Sequence, residues 1–130
     1  MIFEQIVNRW SKLPESRISI KGPDIIAPLG YGLLPDDLPL ATVANLEKAV
    51  LARKRFRRAL IVFGNSSHCF PGSEVVEGRL KHNLLVQYDV PLGTFLDVGP
   101  ITNTVTEAEK IRDAVRAKGI EPKEIILITG

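Results

Sequence analysis

Asn103, Thr104 and Glu107 are the side chains best placed for ligand chemistry, since a strand exit, a polar loop and a helix start follow one another here. Thr104 and Glu107 are three residues apart, the spacing of a capping box in which each side chain accepts from the other's amide. Two interpretations follow. In the first, the polar side chains only satisfy the free amides at the start of the helix. In the second, the same amides lie at the positive end of the helix and bind a phosphate or a carboxylate.

Two more polar loops follow apolar runs, Gly30-Tyr31-Gly32 and Gly64-Asn65-Ser66. In an open parallel sheet, ligands bind outside the carboxyl ends of the strands, so these loops are expected at the same edge as residues 103–107. Their glycines allow a backbone to approach a ligand closely, although glycine also serves any tight turn. Neither loop has the spaced glycines of a dinucleotide fingerprint or a P-loop lysine, and NAD or ATP chemistry has no specific support.

Cys69 and His68 lie side by side after the second apolar run. A nucleophilic cysteine needs a base within hydrogen-bond reach, whereas adjacent residues of an extended segment point to opposite sides. Cys69 is therefore expected to be an inert, partly buried thiol, with a nucleophile as the alternative. His82, in the middle of a predicted helix, is expected to be a packing or solvated histidine rather than an acid or base.

The composition is that of one ordinary domain spanning residues 1–130, with 45% hydrophobic and 25% charged residues. A net charge of +2 is too small to indicate a nucleic-acid partner. The basic run 53–58 is typical of a helix end, where cations are favoured, and a nucleic-acid or lipid-headgroup patch is the alternative.

A cytoplasmic location is expected. The chain has a single cysteine, and its Cys and His residues lack the spacing of a zinc site, so no metal is predicted. Glu4 and Arg9 interrupt the apolar residues near the N-terminus, which does not fit a signal peptide. No apolar run is long enough to predict a transmembrane segment.

The organisation predicts an α/β fold with a mostly parallel sheet of about four strands. Residues 1–22 form an amphipathic lead-in with Phe3, Ile6, Val7 and Trp10, and residues 23–130 form the core. The predicted strands are 24–30, 58–64, 94–98 and 124–130, and the predicted helices cover about 42–56, 73–88 and 104–118. Pro28 lacks a ladder donor and is expected at a sheet edge or a bulge.

The whole pattern from Asp24 to Gly130 resembles the YdcF-like family, which includes the SanA and ElyC envelope proteins. The resemblance is carried by the strands 24–30 and 58–64 and most specifically by Asn-Thr-x-x-Glu-Ala at residues 103–108. It implies a Rossmann-like, three-layer α/β/α fold whose strand-end loops form one pocket. It also implies that Gly30, Gly64, Asn103, Thr104 and Glu107 face a ligand, with S-adenosylmethionine favoured as the cofactor.

The chain departs from the family at two places. The family commonly has an arginine in its first crossover helix, where this chain has Ala44-Asn45-Leu46, and a His-x-x-Arg-like motif beyond the fourth strand, whereas this sequence stops at Gly130. The chain is therefore expected to be C-terminally truncated, as a fragment or as a shortened relative. The sequence does not identify catalytic residues.

Two functions from different classes remain. The first is an enzyme-like or formerly enzymatic domain that binds a nucleotide-type or phosphorylated ligand. The second is an interaction module linked to envelope or lipid-carrier metabolism. If the strand order is doubly wound, strand four is an apolar edge beside strand one, expected to pair with another copy or with a further C-terminal segment. A methyltransferase is less favoured, since the sequence identifies neither an acceptor site nor a catalytic base.

Overall fold

A computed structural model describes residues 24–31, 33–65, 76–101, 103–121 and 124–129, with Thr104 described by its backbone. Four parallel strands form one sheet: β1 (Ile25–Pro28), β2 (Leu60–Asn65), β3 (Phe95–Pro100) and β4 (Ile125–Ile128). Their spatial order is β3-β2-β1-β4. The chain therefore moves outward from β1 to β3 and then crosses back to the other side of β1, as in one half of a Rossmann fold.

Three helices connect the strands: α1 (Leu40–Arg55), α2 (Glu77–Gln87) and α3 (Thr104–Ala117). They alternate with the strands in the predicted order, and each overlaps its predicted range. The α3 helix ends at Ala117 with Lys118 as its C-cap, and Gly119 follows with a φ of 79°, the left-handed conformation that glycine adopts without strain. The expected α/β class and parallel sheet are confirmed.

Two apolar layers hold the helices on opposite faces of the sheet. On one face, Ile26 of β1 and Ile61 of β2 pack with Leu46 of α1 and Leu85 of α2. On the other face, Ile25 of β1 packs with α3. Successive strand residues point to opposite faces, so the apolar runs of β1 and β2 fill both layers. The three-layer arrangement follows from strands that are apolar at nearly every position.

Pro28 lies in an interior strand, and its predicted place at an edge or bulge is wrong. It pairs with Ile128 of β4, whereas the ladder between β1 and β2 stops at Ile26 and Ile61. The Leu29 amide bonds to the Ile128 carbonyl, so an amide at position 28 would point towards β2. Proline is tolerated because β1 and β2 separate where its missing donor would have been needed.

The β4 strand pairs with β1 and forms one edge of the described sheet, beside strand one as predicted. Ile125 and Ile128 are buried, while Ile126 and Leu127 are partly exposed. In the described ranges, no helix has the length and apolar character needed to cross a bilayer.

Candidate functional site

The carboxyl ends of β1 and β2 and the first turns of α2 and α3 meet at one edge of the sheet. There the structure buries three ionisable side chains, Glu77, Lys81 and Glu107, which we call the buried charge cluster. Glu77 and Lys81 lie one turn apart on α2, and Glu107 lies in the first turn of α3. The cluster thus joins helices that flank opposite faces of the sheet.

Lys81 is the centre of this cluster, with 2% of its surface exposed. Its Nζ atom lies 2.9 Å from Glu77 Oε1 and donates a hydrogen bond of 2.9 Å to the Gly64 carbonyl. The ammonium also lies 5.4 Å from the ring centre of Phe63. Burying an ammonium is costly unless it is paired and hydrogen-bonded, and here a carboxylate, a carbonyl and a ring face replace water.

Glu107 brings a second carboxyl group to the same cation. Burial raises the pKa of Glu107; the Lys81 ammonium opposes this shift, and the nearby Glu77 carboxylate adds to it. A buried carboxyl with a second carboxylate nearby holds its proton more readily than it would in water, and this applies to Glu107. Glu107 is therefore the member of the cluster suited to holding a proton, and its carboxyl oxygens can hydrogen-bond a cationic or hydroxyl-bearing ligand.

The absence of a side chain at Gly30 makes room for this cluster. A Cβ atom at residue 30 would lie 2.7 Å from Lys81 Nζ and 2.9 Å from Glu77 Oε1. At Gly64 a Cβ atom would lie 2.8 Å from the Ile101 side chain. The structure thus gives both glycines a packing role against the protein itself, while their contact with a ligand stays a prediction.

Asn65 joins the ends of β2 and β3. It is buried, and its Nδ2 donates to Asp97 Oδ1, which also accepts from the Gly99 amide at 2.8 Å. The α2 helix approaches this pair through Gly78, where a Cβ atom would lie 2.5 Å from Asp97 Oδ2 and 2.9 Å from Asn65 Nδ2. The amide–carboxylate pair therefore fixes the strand ends directly beneath the first turn of α2.

The loop after β1 is held by two polar residues of α1. Thr42 Oγ1 accepts from the Tyr31 amide at 2.9 Å, and Asn45 Nδ2 donates to the Leu29 carbonyl at 2.9 Å. Asn45 is fully buried, and its Oδ1 has no partner within the described part of the chain. The Tyr31 residue in this loop is half exposed.

Asn103, rather than Thr104, is the N-cap of α3, which corrects the predicted capping box. Asn103 Oδ1 accepts from the Thr106 amide at 2.8 Å and from the Thr106 hydroxyl at 3.1 Å. The Glu107 amide donates to the Asn103 carbonyl, as an ordinary first helical bond. Asparagine caps a helix at least as well as threonine, and starting the helix at Thr104 directs Glu107 into the charge cluster.

Among the predicted site residues, the structure brings Gly30, Gly64 and Glu107 together around Lys81. Asn65 lies at the neighbouring strand end, and Asn103 caps the helix that carries Glu107. The predictions for Gly32, Ser66, His68 and Cys69 fall outside the described residues.

Two other candidates from the sequence lie away from the site. His82 is exposed and packs edge-on against Phe95, with 5.2 Å between ring centres. The basic run closes α1 as expected, and Arg55 stacks on Phe56. Across the described ranges, no three or more His, Cys, Asp or Glu side chains are grouped so that they could hold a metal ion.

Four residues of this region were not predicted from the sequence: Glu77, Gly78, Lys81 and Asp97. In α2 the residues Leu80, Leu84 and Tyr88 recur at helical spacing, but they are only partly buried. The fully enclosed face is instead formed by the residues Glu77, Gly78, Lys81 and Leu85. The signal was the spacing of Glu77, Lys81 and Leu85 at successive intervals of four, which places an ion pair in line with a core leucine.

Comparison of the chain with family models, with curated proteins and with solved structures finds no match. The function of the strand-end site is therefore inferred from the geometry of the described residues.

Proposed function

We propose that the carboxyl ends of β1, β2 and β3 bind a nucleoside-type small molecule, with S-adenosylmethionine as the leading candidate. The observation that carries the proposal is the buried charge cluster around Lys81, at the edge of the sheet where open α/β folds take their ligands. We also propose that the protein acts on this small molecule in the cytoplasm.

The free energy needed to bury the charge cluster supports a functional role for it. A buried ion pair often contributes no more stability than well-packed apolar side chains of similar volume would. Glu77 and Lys81 nevertheless stand where the helix could have continued the apolar face that includes Leu85. A buried carboxyl with a raised pKa, such as Glu107 at the strand ends, is typical of binding and catalytic sites.

The balance of charge favours S-adenosylmethionine over a phosphorylated ligand. Among the described residues, Glu77, Glu107 and the nearby Asp97 contribute three carboxyl groups, against the ammonium groups of Lys81 and of Lys110, which bonds to the Pro100 carbonyl at the end of β3. Carboxylates repel phosphate and attract sulfonium and ammonium groups, and they hydrogen-bond ribose hydroxyls. S-Adenosylmethionine presents all three of these groups and no phosphate. The resemblance to the YdcF-like family supports the same ligand.

Isothermal titration calorimetry with S-adenosylmethionine tests the proposal. Glu107→Gln should weaken binding by about tenfold or more, which is the loss of one charged hydrogen bond. The matched control is Glu109→Gln, an exposed residue of the same helix, which should bind as the wild type does. Equal affinity in both variants would remove Glu107 from the site. Binding of ATP or inorganic phosphate without S-adenosylmethionine would refute the choice of ligand.

A second candidate function is that of an interaction module, linked through the family resemblance to envelope metabolism. It is favoured by the position of β4 at the sheet edge. Ile25 and Leu29 donate to the carbonyls of Glu124 and Ile128, so the amide of Leu127 points away from β1. Leu127→Pro should abolish any self-association measured by light scattering, without loss of the β1–β4 ladder. A wild-type chain that stays monomeric at high concentration would exclude this function.

A further inference from the structure

Five cations lie close together at the amino edge of the sheet, where the strands begin and opposite the buried charge cluster. They fall within residues 53–58, which we call the basic turn, and Lys54, Arg55, Arg57 and Arg58 are exposed. The dipole of α1 favours positive charge in its last turn, which accounts for the cations up to Arg55. Arg57 and Arg58 follow the helix, and its dipole gives no reason for them.

The charge of the basic turn is not balanced by its neighbours. The segments that lead into β2 and β3, residues 53–59 and 88–94, together carry five cations and one carboxylate, that of Asp89. Within the described ranges, the ion pairs include neither Arg57 nor Arg58. This part of the amino edge therefore presents a positive surface that attracts anions.

An apolar side chain projects beside the basic turn. Leu92 keeps 73% of its surface exposed and lies in a tight turn, in which the Thr94 amide donates to the Pro91 carbonyl at 3.1 Å. The Ile61 amide donates to the Thr94 carbonyl at 3.1 Å, so this turn lies beside the start of β2, which the basic turn directly precedes. The edge thus combines exposed cations with an exposed leucine that a hydrogen-bonded turn holds in place.

We propose that the basic turn and Leu92 bind the surface of a membrane that contains anionic lipids. Anionic headgroups attract arginine and lysine, and an apolar side chain next to them can enter the boundary with the acyl chains. A nucleic acid would attract the same cations, but its charged surface gives no use to the leucine. The strands of six residues are about 20 Å long, so the ligand site at their other ends stays accessible.

Co-sedimentation with lipid vesicles tests this proposal. The wild type should sediment with vesicles of equal parts phosphatidylcholine and phosphatidylglycerol, should stay in solution with phosphatidylcholine alone, and should be released by high salt. Arg57→Gln/Arg58→Gln should weaken binding by about twentyfold, because each cation near an anionic surface contributes about fivefold. Leu92→Ser should weaken it by about tenfold through loss of apolar burial.

Each variant has a matched control on another surface. Arg79→Gln/Arg112→Gln removes the same charge from α2 and α3 and should bind vesicles as the wild type does. Leu40→Ser changes a leucine that is 87% exposed at the first residue of α1, near the carboxyl edge, and should also bind normally. Circular dichroism checks that each variant is folded.

Three outcomes would overturn the proposal. The wild type could fail to sediment with the mixed vesicles or could bind phosphatidylcholine equally well. The Arg57→Gln/Arg58→Gln variant could bind the mixed vesicles no more weakly than its control. The wild type could also bind a DNA or RNA duplex through Arg57 and Arg58 and not bind vesicles, which would assign the basic turn to nucleic acid.

Discussion

Removal of the ammonium of Lys81 should destabilise the fold strongly. Lys81→Met keeps an unbranched stem of similar length next to Phe63 and deletes the charge. Lys81 and Glu77 are only 2% and 3% exposed, so the Glu77 carboxylate would stay buried without its cation. Breaking a buried pair in this way costs about 3–5 kcal/mol of unfolding free energy. The carboxyl group of Glu107 would lose the same neighbour.

This loss should be easy to measure and still leave a folded protein. For a domain of this length, 1 kcal/mol corresponds to about 3–5 °C in melting temperature, so the midpoint should fall by about 10–20 °C. A natural domain has about 5–15 kcal/mol of stability, and most of that range survives the change. Urea unfolding followed by circular dichroism at neutral pH, together with scanning calorimetry, provides both quantities.

An exposed ion pair supplies the matched control. Arg116 and Glu121 are 3.2 Å apart, but they are 48% and 70% exposed, so Arg116→Met should cost less than about 1 kcal/mol. The double variant Glu77→Gln/Lys81→Met should recover part of the loss, because it removes the buried negative charge together with the ammonium. If Lys81→Met costs no more than Arg116→Met, the ammonium is hydrated, and the buried charge cluster does not exist as described.

Three further predictions concern the same edge of the sheet. Because burial raises the pKa of Glu107 from 4.5, its contribution to stability is present at pH values below 4.5 and is lost as the pH rises through the raised value. Calorimetry across this window should therefore show Glu107→Gln gaining stability over the wild type with rising pH. Gly78→Ala should lower the free energy of unfolding, measured by urea denaturation, by about 1–3 kcal/mol, although alanine is the better helix former, because its methyl group would meet Asp97. Asn103→Ala should cost about 1 kcal/mol of thermal stability through loss of the bond to the Thr106 amide, whereas Asn103→Asp should retain it.

The fold could be predicted well from the sequence because its strands are apolar on both faces. A run such as 60–63 is buried at every position, which is the pattern of a parallel sheet between two helical layers. The position of β4 beside β1 then followed from the doubly wound order. The prediction that Pro28 lies at a sheet edge or a bulge was wrong, because a missing amide donor is harmful only where the neighbouring strand is still paired.

The candidate site could be predicted only in part. Gly30, Gly64 and Glu107 were identified from their positions after strands and at a helix start, which are local features of the sequence. Lys81 was passed over because a lysine in a helix is usually solvated, and its burial depends on the close approach of Gly30 and Gly64 from other elements. Burial of a charged residue is a tertiary property that no single window of sequence contains.

Glu107 shows why the two interpretations of the α3 start are not exclusive. The capping role falls to Asn103, whose side chain bonds to Thr106 and leaves the carboxylate of Glu107 free of that task. The helix therefore begins without help from Glu107, and the buried position of this carboxyl beside Lys81 needs another reason. A carboxyl kept at a cost in stability, at the edge where α/β folds bind ligands, is better explained by binding than by capping.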